Sequence, residues 1–382
     1  MEVASISCAD YEINKLKRKM ENSLSLIGGV EDFVDSSDTV LLKPNLLSPK
    51  PPDSGIITNP NVVKSAIEIF QGRAAEVLVG ESSGGVSGEF DSSLTDRGFQ
   101  ESGLEEVCSE TEAYLINFDR IECELISVSQ GVGEDIPVPK PVLDADIVVS
   151  LPKLKTHAFT LFTGAIKNLY GCIPGMKKRE YHKLYPNPKR FAEVIVDILQ
   201  IIKPDLSIMD GVEGLHGNGP GEKGKKFHMG VVMASSDLVA LDTVAAGYLG
   251  FGDEDIPISK IAGDRDLGVN NSDKIEILGD FDEPDEEFEL PSGSFLRILP
   301  NWILEPISAS LKAKPKINSD NCALCEICLE SCPQDAIYSD SGTARINIDD
   351  CIKCLCCHEL CPKGAVEIEE NPVFRFFSDL VS

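Results

Sequence analysis

Near its carboxyl end the chain repeats one spacing of cysteines, Cys-x-x-Cys-x-x-Cys-x-x-x-Cys-Pro, and the second copy begins 29 residues after the first. Three thiolates at two-residue intervals fit on one tight loop around a cubane 4Fe–4S cluster, and in a doubled motif the fourth ligand comes from the other copy. The spacing therefore predicts two 4Fe–4S clusters. Their ligands form two sets, which are Cys322, Cys325, Cys328 and Cys361, and Cys351, Cys354, Cys357 and Cys332.

Zinc is the alternative for these cysteines, but structural zinc ligands more often come as two separated pairs. Over about 50 residues the doubled motif, with Pro after each last Cys, resembles the bacterial two-cluster ferredoxins. Cys356 lies inside the second copy but breaks its spacing, so we expect it to be a bystander packed near a cluster. The scattered Cys8, Cys108, Cys123 and Cys172 are predicted to be small buried hydrophobic residues.

The 382 residues carry a formal charge of −28 at pH 7. This charge disfavours nonspecific attraction to DNA, RNA or anionic lipid, because each depends on basic surface. The amino-terminal segment has no apolar signal core, and no uninterrupted apolar run approaches the roughly 18 residues of a membrane-spanning helix. Free thiols fit a reducing compartment. We expect a cytoplasmic protein that binds no nucleic acid and does not insert into membranes.

Short apolar runs alternate with helical patterns over residues 1–280, which indicates an α/β domain with a mainly parallel sheet and flanking helices. Buried strands are predicted at 39–43, 75–80, 145–151, 206–209 and 229–234. Helices are predicted after the cap Asn59, over 191–202, and over 237–249 after the cap Ser236.

The rest of the chain divides into three further parts. An acidic bridging segment at 281–315 contains a broken amphipathic pattern at 295–312. A small α+β ferredoxin-like domain follows at 316–370, and an apolar tail at 371–382 is expected to pack against the large domain.

Polar residues follow each predicted strand of the large domain. Open α/β sheets bind ligands at the carboxyl edges of their strands, where loops and helix amino termini converge. We therefore predict a cofactor-binding site along this edge. Its candidate residues are Lys43, Asn45, Glu81, Lys153, Asp210 and Asp237.

Residues 153–190, the basic segment, contain nine Lys or Arg and one acid, a balance of 9 − 1 = +8 that leaves −28 − 8 = −36 for the remainder. Such a segment attracts a carboxylate, a phosphate or an anionic cofactor, although its lysines could instead pair with acids of neighbouring segments. Its candidate catalytic residues are His157, Lys155 and Lys167. His157 is chosen because an imidazole that follows a strand end is suited to acid–base chemistry.

The run at 217–224 is rich in glycine, but a strand is predicted after it, whereas a dinucleotide-binding fingerprint requires a helix. The run is therefore interpreted as a phosphate-cradling or lid loop, or as a long turn.

Several stretches of the large domain resemble the family of domains of unknown function numbered 362, across residues 1–280. They are Leu-Lys-Pro-Asn at 42–45, Leu-Pro-Lys-Leu-Lys-Thr-His at 151–157, the run at 163–171, Asp210-Gly211, the run at 217–220 and the motif at 236–242. The resemblance implies an α/β fold, a setting in anaerobic bacteria and archaea, and frequent fusion to a ferredoxin unit. The family looks distantly similar to the amino-terminal domain of nickel-pincer lactate racemases, and the resemblance leaves the reaction open.

Three functions fit these features. The first is an oxidoreductase that passes electrons between the clusters and a small anionic ligand or cofactor, with a redox partner protein. The second is a non-catalytic electron carrier or metallocofactor-assembly factor. The third is a racemase-like isomerase in which the clusters are structural. A tightly bound chromophore would favour the oxidoreductase, and a co-purifying apo-enzyme would favour the carrier or assembly factor. Bound nickel would favour the isomerase.

The cysteine assignment predicts about eight iron and eight sulfide per chain. Cys325→Ala removes one ligand and should lose one cluster, whereas Cys356→Ala should keep both. Iron and sulfide analysis of the anaerobically purified proteins measures this, and stoichiometric zinc with little sulfide would contradict the assignment.

Overall fold

The structure is a computed structural model that describes residues 1–83, 93–129, 131–283, 287–291 and 314–369. The predicted amphipathic pattern at 295–312, the tail at 371–382 and Gly84-Gly85 after the second predicted strand lie outside the described residues.

Twelve strands are described in the large domain. They are β1 (Glu2–Ser7), β2 (Thr39–Pro44), β3 (Glu76–Glu81), β4 (Tyr114–Asn117), β5 (Cys123–Ile126), β6 (Ile136–Pro139), β7 (Ile147–Leu151), β8 (Lys153–His157), β9 (Leu161–Thr163), β10 (Leu206–Gly217), β11 (Gly224–Ser235) and β12 (Glu276–Leu278). All except the β5–β6 hairpin join one sheet in the order β12-β1-β11-β10-β7-β2-β3-β4, with β8 paired to β10 and β9 to β8. The sheet is mainly parallel, because the antiparallel pairs are β1–β11, β10–β11 and β8–β9. The predicted α/β fold is confirmed.

Helices cover both faces of the sheet. They are α1 (Ile13–Leu26), α2 (Pro60–Gln71), α3 (Ser93–Glu101), α4 (Leu104–Thr111), α5 (Lys140–Asp144), α6 (Ala165–Asn168), α7 (Gly175–Leu184), α8 (Pro188–Ile202), α9 (Leu238–Gly247) and α10 (Pro257–Asp264). Successive strand residues point to opposite faces. Leu41 of β2 therefore packs with α8 and α9, whereas its neighbour Leu42 packs with α1 and α2. Burial on both faces explains why the parallel strands appear as continuous apolar runs.

The helix caps confirm one prediction and correct another. Asn59 caps α2 by accepting the N–H of Asn61 at 2.9 Å, as predicted. The cap of α9 is Asp237, whereas Ser236 was predicted, because the Asp237 carboxylate accepts the N–H groups of both Val239 and Ala240.

Two predicted loops are strands. Residues 153–157 form β8, which resumes pairing after Pro152, a residue with no N–H to donate to the sheet. Asp210 and Gly211 lie inside β10, because β10 and β11 form a long antiparallel hairpin that extends past the parallel sheet. The glycine-rich run at 217–224 is the turn of this hairpin.

The ferredoxin part contains β13 (Lys314–Ile317), α11 (Ile327–Glu330), β14 (Ile337–Asp340), β15 (Thr343–Ile346), α12 (Cys356–Leu360) and β16 (Val366–Glu369). The two cysteine copies are interleaved, because β13 pairs with β16 and β14 with β15, each pair antiparallel and each joining one copy to the other. This pairing confirms the predicted small α+β domain and brings the end of each copy beside the other copy.

A buried network joins β8, β10 and the segment before α1. Lys153 Nζ lies 2.9 Å from Asp210 Oδ2 and 2.7 Å from Tyr11 Oη, and Tyr11 donates to Asp210 Oδ1 at 2.8 Å. Asp210 Oδ2 also accepts the N–H of Asn59 at 2.9 Å. Both charges are almost fully buried, so each depends on the other for compensation.

Asp210→Ala should therefore reduce the free energy of unfolding by about 3–5 kcal/mol, because it leaves the buried Lys153 ammonium unpaired. Denaturant unfolding of the purified protein measures this. The matched control is Lys153→Met with Asp210→Leu, which removes both charges and should be clearly more stable than the single variant. A single variant as stable as wild type would contradict the pairing.

Candidate functional site

The eight cysteines of the doubled motif lie around two cavities. One cavity is lined by the outer set, Cys322, Cys325, Cys328 and Cys361. The other is lined by the inner set, Cys332, Cys351, Cys354 and Cys357. Each set thus takes three sulfurs from one copy and one from the other, the grouping that the spacing predicts.

The surroundings of the sulfurs suit iron–sulfur clusters. Backbone N–H groups donate to Cys332 Sγ from Ala336 at 3.2 Å and to Cys361 Sγ from Ala365 at 3.2 Å. Such donors favour the thiolate, which is the form that binds metal. In the part of the chain that the structure describes, no three His, Cys, Asp or Glu side chains converge closely enough to hold a single metal ion. The cysteine sulfurs line the two cavities at which the doubled motif predicts clusters.

The two sets differ in exposure. Cys325 of the outer set is exposed, whereas Cys354 and Cys357 of the inner set are buried. Cys357 of the inner set lies on α12, and this helix faces the large domain.

A third cavity, the interdomain cavity, lies between α12 and the carboxyl edge of the sheet and has an interior of about 100 Å³. The large domain contributes Lys155, Lys167 and Lys178 to its wall, and the ferredoxin domain contributes Cys356 and Glu359. Further lining residues are Asn45, Glu81, Thr163, Asn168, Tyr170 and His182. The cavity is therefore a joint product of both domains.

Two of the lysines are held by acceptors. Lys155 Nζ donates to Asn45 Oδ1 at 2.6 Å and to the carbonyl of Ile56 at 2.5 Å. Burial lowers the pKa of Lys155 well below its usual value, and the nearby Lys167 lowers it further. Lys178 Nζ donates to the carbonyls of Ser82 and Ser83, and burial lowers its pKa to about 8. Both side chains therefore line the cavity from positions that these acceptors fix.

Lys167 differs from both. Among the described residues no acceptor lies within hydrogen-bonding distance of its ammonium, which lines the cavity. Burial lowers the pKa of Lys167 to about 8, although Glu359 opposes the shift. Internal pairing explains Lys153 with Asp210 and Lys177 with Glu180, but it does not explain Lys167.

His157 lies behind the cavity wall and joins the two domains. Its Nδ1 accepts the N–H groups of Phe159 at 3.0 Å and Thr160 at 3.3 Å, so the proton is on Nε2, which lies 3.1 Å from Glu359 Oε1. Burial lowers the pKa of His157 to about 4. Burial also opposes ionisation of Glu359, but His157 and Lys167 hold the pKa of that carboxyl below its usual value.

The remaining candidates are divided between the cavity and the interior. Lys43 forms a buried ion pair with Glu81, and Glu81 reaches the cavity wall. Lys153 and Asp210 belong to the network described above and do not line the cavity. Asp237 lies elsewhere, where it caps α9 and also accepts the N–H of Val269. Of the predicted cofactor-binding residues, Asn45 and Glu81 line the cavity, together with the catalytic candidates Lys155 and Lys167.

Several cavity residues were missed as site candidates. Lys178 and Arg179 are within the basic segment, so its excess charge already pointed to them. Cys356 carried a signal as the cysteine that breaks the motif. Glu359 carried none, because only the folded chain places α12 against the sheet edge. Thr163 and Asn168 lie in the run at 163–171 that carries the family resemblance, but neither was selected as a site candidate.

The fold and the two sulfur-lined cavities define an α/β protein joined to a two-cluster type of ferredoxin unit. The family described as Domain of unknown function (DUF362) matches residues 40–247, and a 4Fe-4S dicluster domain matches residues 314–362. The chain belongs to the DUF362 family. A thylakoid-associated protein of Synechocystis sp. is 33% identical over 276 residues, which cover 70% of this chain and 80% of that protein.

Two solved structures show weaker likeness. The lactate racemase apoprotein from Thermoanaerobacterium thermosaccharolyticum gives a TM-score of 0.41 at 13% identity, over 65% of this chain and 56% of that one. A Thermotoga maritima protein gives 0.32 at 14% identity, over 53% of this chain and 51% of that one. The chain thus spans little more than half the length of either structure. Within the described residues, no helix is both long and apolar enough to cross a membrane.

Two buried imidazoles should make folding sensitive to acid. Burial lowers the pKa of His157 and of His182 to about 4, from 6.5 in an unfolded chain. Between pH 6.5 and 4 each imidazole is protonated in the unfolded chain and neutral in the folded chain. The contribution of the two imidazoles to the free energy of unfolding is therefore complete above pH 6.5 and decreases as the pH falls. At pH 5.5 the expected loss is about 1.4 kcal/mol per imidazole. Denaturant unfolding at pH 7 and 5.5 measures it.

The control for this pH dependence is His182→Phe, which preserves the ring stacked on Phe191 and removes one titrating group. It should lose less stability than wild type between the two pH values. Equal losses would contradict the assignment.

Proposed function

We propose that this protein is an iron–sulfur oxidoreductase whose large domain holds a small anionic ligand in the interdomain cavity, beside the inner cysteine set. The observation that carries the proposal is a shared wall. Cys356 lines the interdomain cavity and also the cavity of the inner set, so a ligand near Lys167 would lie one side chain away from the cluster site.

The charge of the cavity supports an anion. Lys155, Lys167 and Lys178 approach it from the large domain, and the positive charges of Lys167 and Lys153 disfavour protonation of Lys155. A carboxylate or phosphate between these groups would reverse that repulsion and give Lys167 a hydrogen-bond acceptor. Glu359 balances part of the charge from the opposite wall.

The size of the cavity limits the ligand. A buried cavity of about 150 Å³ accommodates one benzene molecule, which has six non-hydrogen atoms. An interior of about 100 Å³ therefore suits a ligand of similar or smaller size. The enclosed part of the cavity thus fits a small organic or inorganic anion.

The proposal includes two 4Fe–4S clusters, one on each cysteine set. When bound, these clusters supply one-electron transfer. The exposed Cys325 places the outer set within reach of a redox partner protein, whereas the buried inner set faces the ligand cavity. The free thiols of the large domain fit a reducing compartment, for which we propose the cytoplasm.

The large domain's residues then have separate roles. Lys167 binds the anion directly, and Lys155 is held at the cavity wall by its hydrogen bond to Asn45. His157 is neutral, and its Nε2 lies 3.1 Å from Glu359 Oε1, so its role is at the contact between the two domains.

Lys167→Met should weaken binding of the native anion by about 1–3 kcal/mol, the range for a hydrogen bond to a charged group. The native ligand is first identified by mass spectrometry of the anaerobically purified protein, and its affinity is then measured by calorimetry. Lys183→Met is the matched control, because Lys183 is exposed on α7 and carries the same charge. Equal affinities for wild type and Lys167→Met would contradict the proposal.

Ligand binding should also shift a cluster potential, because coupled equilibria influence each other reciprocally. Redox titrations with and without saturating ligand measure the shift. Identical titrations would favour an electron carrier or assembly factor over an oxidoreductase.

A further inference from the structure

Two buried polar side chains of the interdomain cavity each have an atom without a hydrogen-bond partner. Asn168 is 2% exposed and Thr163 is 4% exposed, and both line the cavity together with Lys167. Among the described residues, neither Asn168 Oδ1 nor Thr163 Oγ1 has a partner. Buried polar atoms are rarely left unpaired in folded proteins, because an unpaired one costs free energy. A ligand in the cavity would supply the missing hydrogen bonds.

The hydrogen bonds of Asn168 determine which of its amide atoms is free. Its nitrogen donates to the Lys43 carbonyl at 2.7 Å and to Ser150 Oγ at 3.0 Å. The carbonyl can only accept, and the Ser150 hydroxyl donates its own proton to the Ala165 carbonyl at 3.3 Å. The opposite orientation of the amide would place an acceptor against these acceptors. Oδ1 is therefore the free atom, and its partner must be a hydrogen-bond donor.

Asn168 and Lys167 are neighbours on α6, and this short helix is held in place. The buried carboxylate of Asp242 accepts the first two N–H groups of the helix, at 2.5 and 3.0 Å. Thr163 lies just before the helix on β9, where it pairs with Lys155 of β8. The cavity wall therefore presents an ammonium, an acceptor and a hydroxyl on elements whose positions the fold fixes.

We infer that the interdomain cavity selects a small carboxylate that also carries a neutral hydrogen-bond donor, and that Asn168 recognises this donor. The inference rests on the proposed function, in which Lys167 binds the anionic group. Thr163 donates its hydroxyl proton to the same carboxylate. The second group of the ligand, a hydroxyl or an amide N–H, donates to Asn168 Oδ1.

The charges around the cavity explain why the donor is neutral. The three lysines of the wall would repel an ammonium group on the ligand. The acids of the wall are engaged, because Glu81 is paired with Lys43 and Glu359 Oε1 lies 3.1 Å from His157 Nε2. A carboxylate with no donor would leave Asn168 Oδ1 unpaired while it displaces water from the cavity.

Four carboxylates in two isosteric pairs test this inference on the purified, cluster-containing protein. Glycolate carries a hydroxyl where propionate has a methyl group, and oxamate carries an amide nitrogen where pyruvate has a methyl group. Within each pair the net charge is the same, and no probe has more non-hydrogen atoms than benzene, so each suits the cavity. Calorimetry measures the affinities. The donor-bearing member should bind about tenfold more tightly, as expected for one hydrogen bond gained in a buried site.

Each outcome of this comparison is decisive. A larger ratio in the glycolate pair assigns a hydroxyl to the ligand, and a larger ratio in the oxamate pair assigns an amide. Equal affinities within both pairs, or tighter binding of the methyl members, overturn the inference and leave the anion site standing. If none of the four binds, the inference is rejected together with the anion site for small carboxylates. Glycine should bind less tightly than glycolate, and the reverse would overturn the neutrality of the donor.

Three variants assign the selectivity to its residue. Asn168→Leu removes the acceptor, so the ratio of affinities within each pair should fall towards one. If that protein does not fold, Asn168→Ala replaces it, because it leaves room for water at the Lys43 carbonyl and Ser150 Oγ. Lys167→Met and the isosteric Thr163→Val are controls that should weaken both members of a pair and keep their ratio. A wild-type ratio in the Asn168 variant overturns the role of Asn168.

Discussion

The burial of positive charge at the carboxyl edge of the sheet is the constraint on which the rest of this structure depends. Lys43, Lys153, Lys155 and Lys178 are all nearly inaccessible to water. An unpaired buried charge costs several kcal/mol, so each ammonium requires fixed acceptors. Glu81 and Asp210 supply carboxylates, and backbone carbonyls of Ile56, Ser82 and Ser83 supply the rest. The loops after β2 and β3 supply hydrogen-bond acceptors to the buried lysines, and these hydrogen bonds fix the conformations of the loops.

The same constraint determines how the ferredoxin unit docks. Its α12 presents Glu359 to His157, while Arg179 of α7 donates to the Cys332 carbonyl and pairs with Asp335 at 2.7 Å. The hairpin turn completes the contact, because Asn218 O lies 3.1 Å from His358 Nε2. A Cβ at Gly221 would lie 3.1 Å from the carbonyls of His358 and Glu359, so glycine permits this approach. A basic edge in an acidic protein thus holds an iron–sulfur unit over a small polar cavity.

The sequence predicted those features that depend on residues close together in the chain. It did not predict those that depend on pairing between distant strands. The cap Asn59, the apolar strand cores and the two runs of regularly spaced cysteines all follow from residue types within short distances along the chain. The strand status of 153–157 and of Asp210 did not, because it comes from pairing of β8 and β11 with β10. Asp237 was taken for a ligand residue because it follows a strand, although a carboxylate there serves equally well as a helix cap.

The sequence by itself predicted two sets of cysteines for iron–sulfur clusters and located the basic segment. The spacing of the cysteines specifies a tight loop regardless of the surrounding fold. The nine basic residues and one acidic residue of the basic segment give it a net positive charge in any fold. Only the tertiary structure decided which cations are paired with acids and which line a cavity. Lys153 and Lys167 both belong to the basic segment, yet one is paired with Asp210 and the other has no acceptor among the described residues. Likewise, Cys356 lines two cavities only because α12 packs against the large domain. A wall shared by two cavities requires contacts between residues distant in the chain.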